Sequence, residues 1–339
     1  MVNVARELSY ADAVAEGLAC AMREDGRVWL LGEDIADGGA YGATQGLRDE
    51  FGPSRVRNTP ISEAAIAGFT VGAAMTGTRP VAEIMHMDFI ACAMDQIVNQ
   101  MAKLRYMVAG QTSVPATVRC GVGAWLNAAA QHSQSLEAWF THIPGLKVAS
   151  AGEAADIKGV LLSAIRDEDP VIVLEPLALY PVKGEVPPEP FERPVGSSLR
   201  KREGDDLTLI TWGGCVPQVL QAADALAADG IGADVIDLLW LYPFDREALL
   251  SSLERTHRAV VVHQAHGRGG FGAEIAAFLS EHAFDFLDAP VRRVAGLDVP
   301  VPFAPVLENY VLPNAERIVN VAREMVGGDH VESEPQWQT

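Results

Sequence analysis

Two hydrophobic textures alternate along the chain. Short apolar runs rich in β-branched residues recur at Arg27–Gly32, Pro80–Met85, Val114–Cys120, Leu146–Ser150 and Pro170–Glu175. Between them, apolar residues fall three and four apart, which is the period of a helix face. The runs predict strands, and the intervals predict helices near Tyr10–Arg23, Glu63–Met75, Ala93–Met107, Ser133–Phe140 and Glu153–Arg166. Strands too apolar for a half-wetted sheet, alternating with helices, predict an α/β domain whose parallel sheet is covered on both faces. From Pro181 to Ser198 the period stops, and Pro and charged residues dominate, as in an extended linker. A second series then begins, with strands expected at Asp206–Trp212, Ala233–Leu239, Arg258–His263 and Val291–Ala295. Helices near Val216–Ala228, Arg246–Arg255, Ala273–Ala283 and Asn314–Met325 separate them, so two doubly wound domains are expected.

Composition narrows the classes. At 339 residues the chain is long enough for two domains, and 49% hydrophobic with 21% charged residues is a globular balance. Lys+Arg 26 against Asp+Glu 45 leaves a net charge of −19, which argues against nucleic acid or an anionic membrane as the main partner. Cys20, Cys92, Cys120 and Cys215 lie far apart with no CxxC pair, so reduced thiols are expected and not a zinc cluster. Met1–Leu8 has no apolar run of the secretory kind, and no stretch is long and apolar enough to span a bilayer; a cytoplasmic protein is expected.

Several strings carry candidate chemistry. In His266–Glu274, Gly267, Gly269 and Gly272 fit GxGxxG after a strand and before a helix, the context of a dinucleotide site. The acidic residue such a site needs about 20 residues on is missing, and a plain strand-to-helix turn explains the glycines equally. Thr59–Gly68 places Pro60 and Glu63 at the start of an Ala/Gly-rich helix. Glu63 is there either as ordinary helix-start chemistry or as a carboxylate held rigidly at a site edge. His132, before a helix and after a Gly/Ala-rich loop, is a general-acid candidate or a plain loop histidine. His86 and Phe89 fall at a strand's end, where α/β proteins bind ligands. Asp95 and Arg105 read as structural, and Asp167 with Asp169 as a solvated turn or a hard-cation site.

Taken together, LLGEDI (Leu30–Ile35), TPISEAAIAG, RPVAEIMHMDF, MDQIVNQMAKLRY, AAQHSQSLEAWFTHIPGLKV, SAIRDEDPVIVLE and GGFGAEIA resemble one family. It is that of the beta subunits of thiamine-diphosphate-dependent 2-oxo acid dehydrogenases, acting on pyruvate, acetoin or branched-chain 2-oxo acids. The resemblance implies a pyrimidine-binding transketolase-like domain over 4–182, a linker over 183–204, a transketolase C-terminal domain over 205–326 and a disordered tail over 327–339. It implies that Glu63 protonates the cofactor's aminopyrimidine, that Phe89 packs on that ring, and that Glu33 borders the cleft. It makes His132 the histidine that meets substrate and the arriving lipoyl group. Ala116, Ala164, Ile165, Asp167 and Asp169 match a structural potassium site, with Asp169 in place of an Asn of some relatives.

The family holds magnesium and diphosphate with a GDG motif, and no GDG occurs in this chain. The resemblance therefore implies an alpha subunit that completes the site in an α2β2 assembly, docked on a lipoyl acyltransferase core. His263 and Gln264 stand where acidic residues are expected, which suggests an altered docking surface. A split transketolase or acyloin synthase is the alternative within the fold. A nicotinamide-dependent oxidoreductase and a non-catalytic scaffold are the alternatives outside it.

Overall fold

The computed structural model describes residues 6–327. The first part runs β1 (Arg6–Ser9), α1 (Tyr10–Glu24), β2 (Val28–Gly32), α2 (Leu47–Phe51), β3 (Val56–Asn58), α3 (Glu63–Met75), β4 (Arg79–Ile84) and α4 (Leu104–Met107). It continues with β5 (Thr117–Val122), α5 (Glu137–Thr141), β6 (Lys147–Ala149), α6 (Ala154–Arg166), β7 (Val171–Pro176) and β8 (Lys183–Val186). The second part comprises β9 (Leu199–Arg202), β10 (Leu207–Thr211), α7 (Val216–Ala228), β11 (Ala233–Asp237), β12 (Trp240–Tyr242) and α8 (Arg246–Thr256). It ends with β13 (Ala259–His266), α9 (Phe271–His282), β14 (Arg292–Gly296), α10 (Pro305–Val311) and α11 (Ala315–Gly327). The tail expected from 327 lies outside the described residues beyond Gly327.

The apolar runs become the centres of two sheets. In the first, β6, β7, β5, β4, β2 and β3 lie side by side and parallel. Both β5 and β7 are buried along their whole length, as strands covered on both faces must be. The second sheet has the order β14-β13-β10-β11-β9, parallel except for the edge strand β9. The two parts are stitched together, because β12, from the second, pairs antiparallel with β6 and extends the first sheet.

The Pro-rich segment is extended, as its composition suggests, but it is fastened along its length. β8 pairs with β1. Lys158 of α6, fully buried, donates to the carbonyls of Pro187, Pro188 and Glu189 and pairs with Glu16 of α1 at 2.7 Å. A cation can be buried there because each of its donors has an oxygen to meet. The helices α1 and α6 pack closely at Gly17, where a Cβ would stand 3.4 Å from the Lys158 backbone.

Two expected helices are shorter than their periodicity suggests. In place of the helix expected over Ala93–Met107, a tight 3₁₀ turn over Met87–Ala93 is followed by a wide π-helical turn over Asp95–Met101 and then α4. Wide turns of this kind collect at functional sites. Asp95 and Arg105 therefore lie on separate segments. Asp95 accepts from Asn99 at 2.8 Å, and Arg105 reaches Asp169. Ser133–Phe140 keeps helix only from Glu137, because the backbone N–H of Gln134 goes to Asp88 and that of Leu136 to Met87 Sδ.

A buried acid marks the seam between the parts. Asp237, at the end of β11, is fully buried, and burial pushes its carboxyl up to about 8, with Asp156 adding and Lys201 opposing. The unfolded chain ionises this group near 3.8. Between those values the folded state holds a proton that the unfolded state releases, so stability falls as pH rises through the window. Asp237→Asn is expected to flatten that fall. Melting temperatures across the window should show the variant gaining on wild type toward pH 8, and parallel curves would refute the assignment.

Candidate active site

Four adjacent strands, β5, β4, β2 and β3, deliver the expected site residues to one edge of the first sheet. β2 leads to Glu33, β3 to Glu63, β4 to His86 and Phe89, and β5 to the loop carrying His132. This is the carboxyl edge, where open parallel sheets bind ligands. The backbone N–H of Thr59 donates to Gly32 O at 2.9 Å and draws the start of α3 against the end of β2. That contact sets Glu33 and Glu63 within electrostatic reach of each other. Burial raises the Glu33 pKa first, and Glu63 and Asp34 raise it further. No hydrogen bond or ion pair to another described residue engages the Glu63 carboxylate. The first turn of α3 nevertheless favours a negative charge there.

Beside the two acids lies a cluster of rings. The Tyr41 hydroxyl and His86 Nε2 are 2.7 Å apart. The His86 ring stands edge-on to Phe89 at 5.5 Å and to His132 at 5.0 Å, and Phe89 and His132 meet at 5.5 Å. Burial lowers the His86 pKa, and His132 lowers it further. The imidazole is therefore neutral near pH 7.

The floor beneath is ionic, and the sequence reading missed it. Arg119 of β5 is 2% exposed and grips Glu175 of β7 with two bonds of 2.7 and 2.8 Å and Glu83 of β4 with one of 2.7 Å. The Tyr180 hydroxyl donates to Glu175 at 2.6 Å. Burial raises the Glu83 pKa, Arg119 opposes this, and Glu33 adds to it. A small recess lined by Gly39, Tyr41, Glu83, Cys120 and Tyr180 joins this floor to the rings. One signal was available: Glu83, Arg119 and Glu175 each interrupt an otherwise apolar strand, and those strands are neighbours.

His132 sits on a loop and not at a helix mouth, since α5 starts at Glu137. Trp125, Asn127 and Ala129 in that loop adopt φ of 67°, 53° and 60°. A non-glycine residue held there costs about 1–3 kcal/mol, so surrounding contacts must fix the loop. The first part supplies Asp88, which accepts from Gln134 Nε2 at 2.9 Å. The second supplies Glu308, which accepts from the N–H of Trp125 at 3.0 Å, and Gln264, which accepts from Ser135 at 3.1 Å.

The five positions expected to hold potassium gather at the opposite edge of the sheet, and protein donors already engage them. Arg79 Nη1 donates to the carbonyls of Ile165 at 3.0 Å and Asp167 at 2.8 Å. The N–H of Val171 meets Ala116 O, and that of Asp167 meets Ala164 O. Lys147 takes both Asp167 oxygens at 2.7 Å, and Arg105 takes Asp169. Arg79, Lys147 and Arg105 face Asp167, Glu168 and Asp169, three charges against three. A potassium ion at these positions would have to share the carbonyls of Ile165 and Asp167 with the Arg79 guanidinium.

The GxGxxG string has a packing role. His263 is fully buried, stacks on Trp212 at 5.3 Å, and has no partner for either ring nitrogen. A Cβ on Gly272 would stand 2.4 Å from His263 Nε2, and one on Gly270 would stand 2.7 Å from Cε1. The glycines make room for an imidazole, so His263 contributes to no docking surface, contrary to expectation. The turn also follows β13, the third parallel strand of its sheet in chain order, and not the first.

Comparison with known proteins agrees with this architecture. Residues 6–183 match the family described as "Transketolase, pyrimidine binding domain", and residues 196–318 match "Transketolase, C-terminal domain". The chain is 45% identical to the acetoin:2,6-dichlorophenolindophenol oxidoreductase subunit beta of Bacillus subtilis (strain 168), over 96% of this chain and 98% of that one. It is 44% identical to the 2-oxoisovalerate dehydrogenase subunit beta of the same organism, over 94% and 98%. This chain belongs to the family of transketolase-like dehydrogenase beta subunits. A further member, the mitochondrial pyruvate dehydrogenase E1 component subunit beta-2 of Oryza sativa subsp. japonica, is 43% identical over 94% of this beta subunit and 86% of its own length. Among solved structures, a split gene transketolase described as an inactive beta4 tetramer superposes with a TM-score of 0.77. It covers 94% of this chain and 98% of its own at 23% identity, a likeness of fold alone.

For this beta subunit the family implies thiamine diphosphate, and the residues present fit one half of it. An unpartnered carboxylate, a second acid whose pKa is raised and an aromatic ring suit a protonatable aminopyrimidine. Among the described residues, no three His, Cys, Asp or Glu gather to hold a metal ion, and no helix is long and apolar enough to cross a membrane.

Two outcomes follow from these contacts. Melting temperatures in potassium chloride and in tetramethylammonium chloride of equal ionic strength should coincide. A rise specific to potassium would show that the ion shares the Arg79 carbonyls. Gly272→Ala should destabilise the chain by about 1–3 kcal/mol through crowding of His263, read by denaturant unfolding. An unchanged midpoint would mean that the contact relaxes freely.

Proposed function

We propose that this beta subunit, joined to an alpha subunit, is the first component of a thiamine-diphosphate-dependent 2-oxo acid dehydrogenase complex. The pair decarboxylates a 2-oxo acid, pyruvate foremost, or cleaves acetoin, and passes the acyl group to the lipoyl-lysine of an acyltransferase. The reading rests above all on the opposed acids Glu33 and Glu63, brought with Phe89, His132 and His86 to one sheet edge. Thiamine diphosphate, when bound, supplies the nucleophilic carbon and the electron sink. Glu63 would share a proton with an aminopyrimidine nitrogen, and Glu33, whose pKa is raised by burial and by Glu63, would add negative potential beside that proton. Phe89 would pack on the ring. His132, on its braced loop, would hold the proton that a lipoyl sulfur needs on leaving.

The diphosphate and magnesium would belong to the alpha subunit, in keeping with the missing GDG string. The surface of α3 supports such a partner. Phe69 is 59% exposed, next to exposed Ala64, Ala65 and Gly72, and Ile61 just before the helix is 82% exposed, so apolar surface faces solvent along the very element that carries Glu63. Apolar patches of this kind mark interaction sites. An α2β2 assembly in the cytoplasm is the arrangement proposed.

Titration calorimetry with thiamine diphosphate and Mg²⁺ should show tight binding after coexpression with the alpha subunit and none to this chain alone. Glu63→Gln in the complex should abolish 2-oxo acid turnover, with a loss of at least about 10²-fold, the scale of one acid–base group. Tight binding by this chain alone would overturn the shared site. Transfer of the acyl group to an aldehyde in preference to lipoamide would favour a split transketolase or acyloin synthase.

A further inference from the structure

The loop that carries His132 is held by a carboxylate from the other domain. Glu308, on α10, is 2% exposed, and its Oε1 accepts the backbone N–H of Trp125 at 3.0 Å and of Asn127 at 3.3 Å. Both residues are in the left-handed region. Successive N–H groups of residues in such a conformation converge into an anion-binding concavity. A single carboxylate oxygen thus joins two donors that a relaxed loop would point apart.

The surroundings place Glu308 firmly. The Glu308 carbonyl accepts from Leu312 N at 3.1 Å, and Leu297 N bonds Val311 O at 2.9 Å, fixing α10 to the end of β14. Ala124, buried, packs with Val311 and Leu312 in a small core shared by the loop and α10. The backbone N–H of His132 in turn bonds Ala129 O, the third left-handed residue. Contacts therefore run from α10 through the loop to His132, with Glu308 at the point where the domains meet.

We propose that Glu308 is a positioning residue for His132. It makes no contact with the rings at the sheet edge; it sets the loop conformation in which His132 meets Phe89 and His86. The second domain thereby has a defined part in a site whose acids all come from the first. The proposal rests on the reading of His132 given above, and its test separates the two.

The enzyme assembled with its alpha subunit is the proper sample. Glu308→Ala should lower kcat for acyl transfer to lipoamide by about 10-fold or more, the scale of a displaced catalytic group, with little change in thiamine diphosphate affinity. Glu308→Gln keeps an acceptor oxygen and should recover most of the loss, whereas Glu308→Asp, one methylene shorter, should not. The decisive measurement is the double variant. Placed on His132→Ala, Glu308→Ala should cost nothing further, because both act through one group. Additive losses would mean that Glu308 serves only general stability, and the inference would fall. A loss with His132→Ala but none with any Glu308 variant would overturn the inference alone. No loss with His132→Ala would overturn the role of His132 and the inference with it. If Glu308→Ala fails to fold, the contrast between Gln and Asp carries the same decision.

Discussion

The interaction on which the rest depends is the burial of Arg119 between Glu83 and Glu175. A guanidinium taken out of water at the centre of a sheet is tolerable only when it is paired and hydrogen-bonded, and two carboxylates from the flanking strands meet each of its three nitrogens. The group thereby ties β4, β5 and β7 together at the edge where the ligand crevice opens. It carries one more negative charge than positive. That excess, capped by Tyr180 and facing Glu33, gives the crevice its acidic character. Such a floor suits the binding of a group that must be protonated to work. Removing Arg119 would leave two carboxylates in the core without their cation, so the floor and the fold stand or fall together.

Above that floor the site divides between stiff and strained parts. Glu33, Glu63, His86 and Phe89 follow directly on strand ends and inherit the rigidity of a packed sheet. His132 does not. Its loop holds three non-glycine residues at positive φ, and the loop keeps that shape because Asp88, Gln264 and Glu308 reach it from both domains. Strain of this sort persists only where the surroundings over-determine it. The pairing of β12 with β6 serves the same end, since it holds the second domain against the first sheet while the loop spans their junction.

Most of the fold was legible in the sequence because a fully buried parallel strand is an apolar run and a covering helix has a clear period. PVIVLE and VPATVRC could hardly be other than central strands. The short elements β3, β9 and β12 escaped, being only three or four residues long. They exist by pairing with a neighbour and not by local preference. The wide turn at Asp95–Met101 was invisible for another reason, since seven residues are too few to tell its period from that of an ordinary helix. In the site, Glu33, Glu63, Phe89 and His132 came from family resemblance, whereas spacing alone left each of them ambiguous. Arg119 and Glu308 came from neither. The first needed the strand order to show that three lone charges are neighbours, and the second joins residues more than 180 positions apart.

An acidic half-site at the start of an exposed apolar helix is itself a constraint. Two acids lie close together at the start of α3, yet no cation among the described residues neutralises Glu63. Within this chain the helix dipole and solvent make that arrangement affordable, because the carboxylate is only partly buried. Covering the apolar surface of α3 with a partner would remove the solvent and leave a carboxylate seeking a proton or a donor. The same step that buries the interface would therefore raise the affinity of Glu63 for a protonated ring nitrogen. Assembly and cofactor binding would then be linked by one desolvation, because Glu63 opens the same helix whose exposed apolar residues a partner would cover.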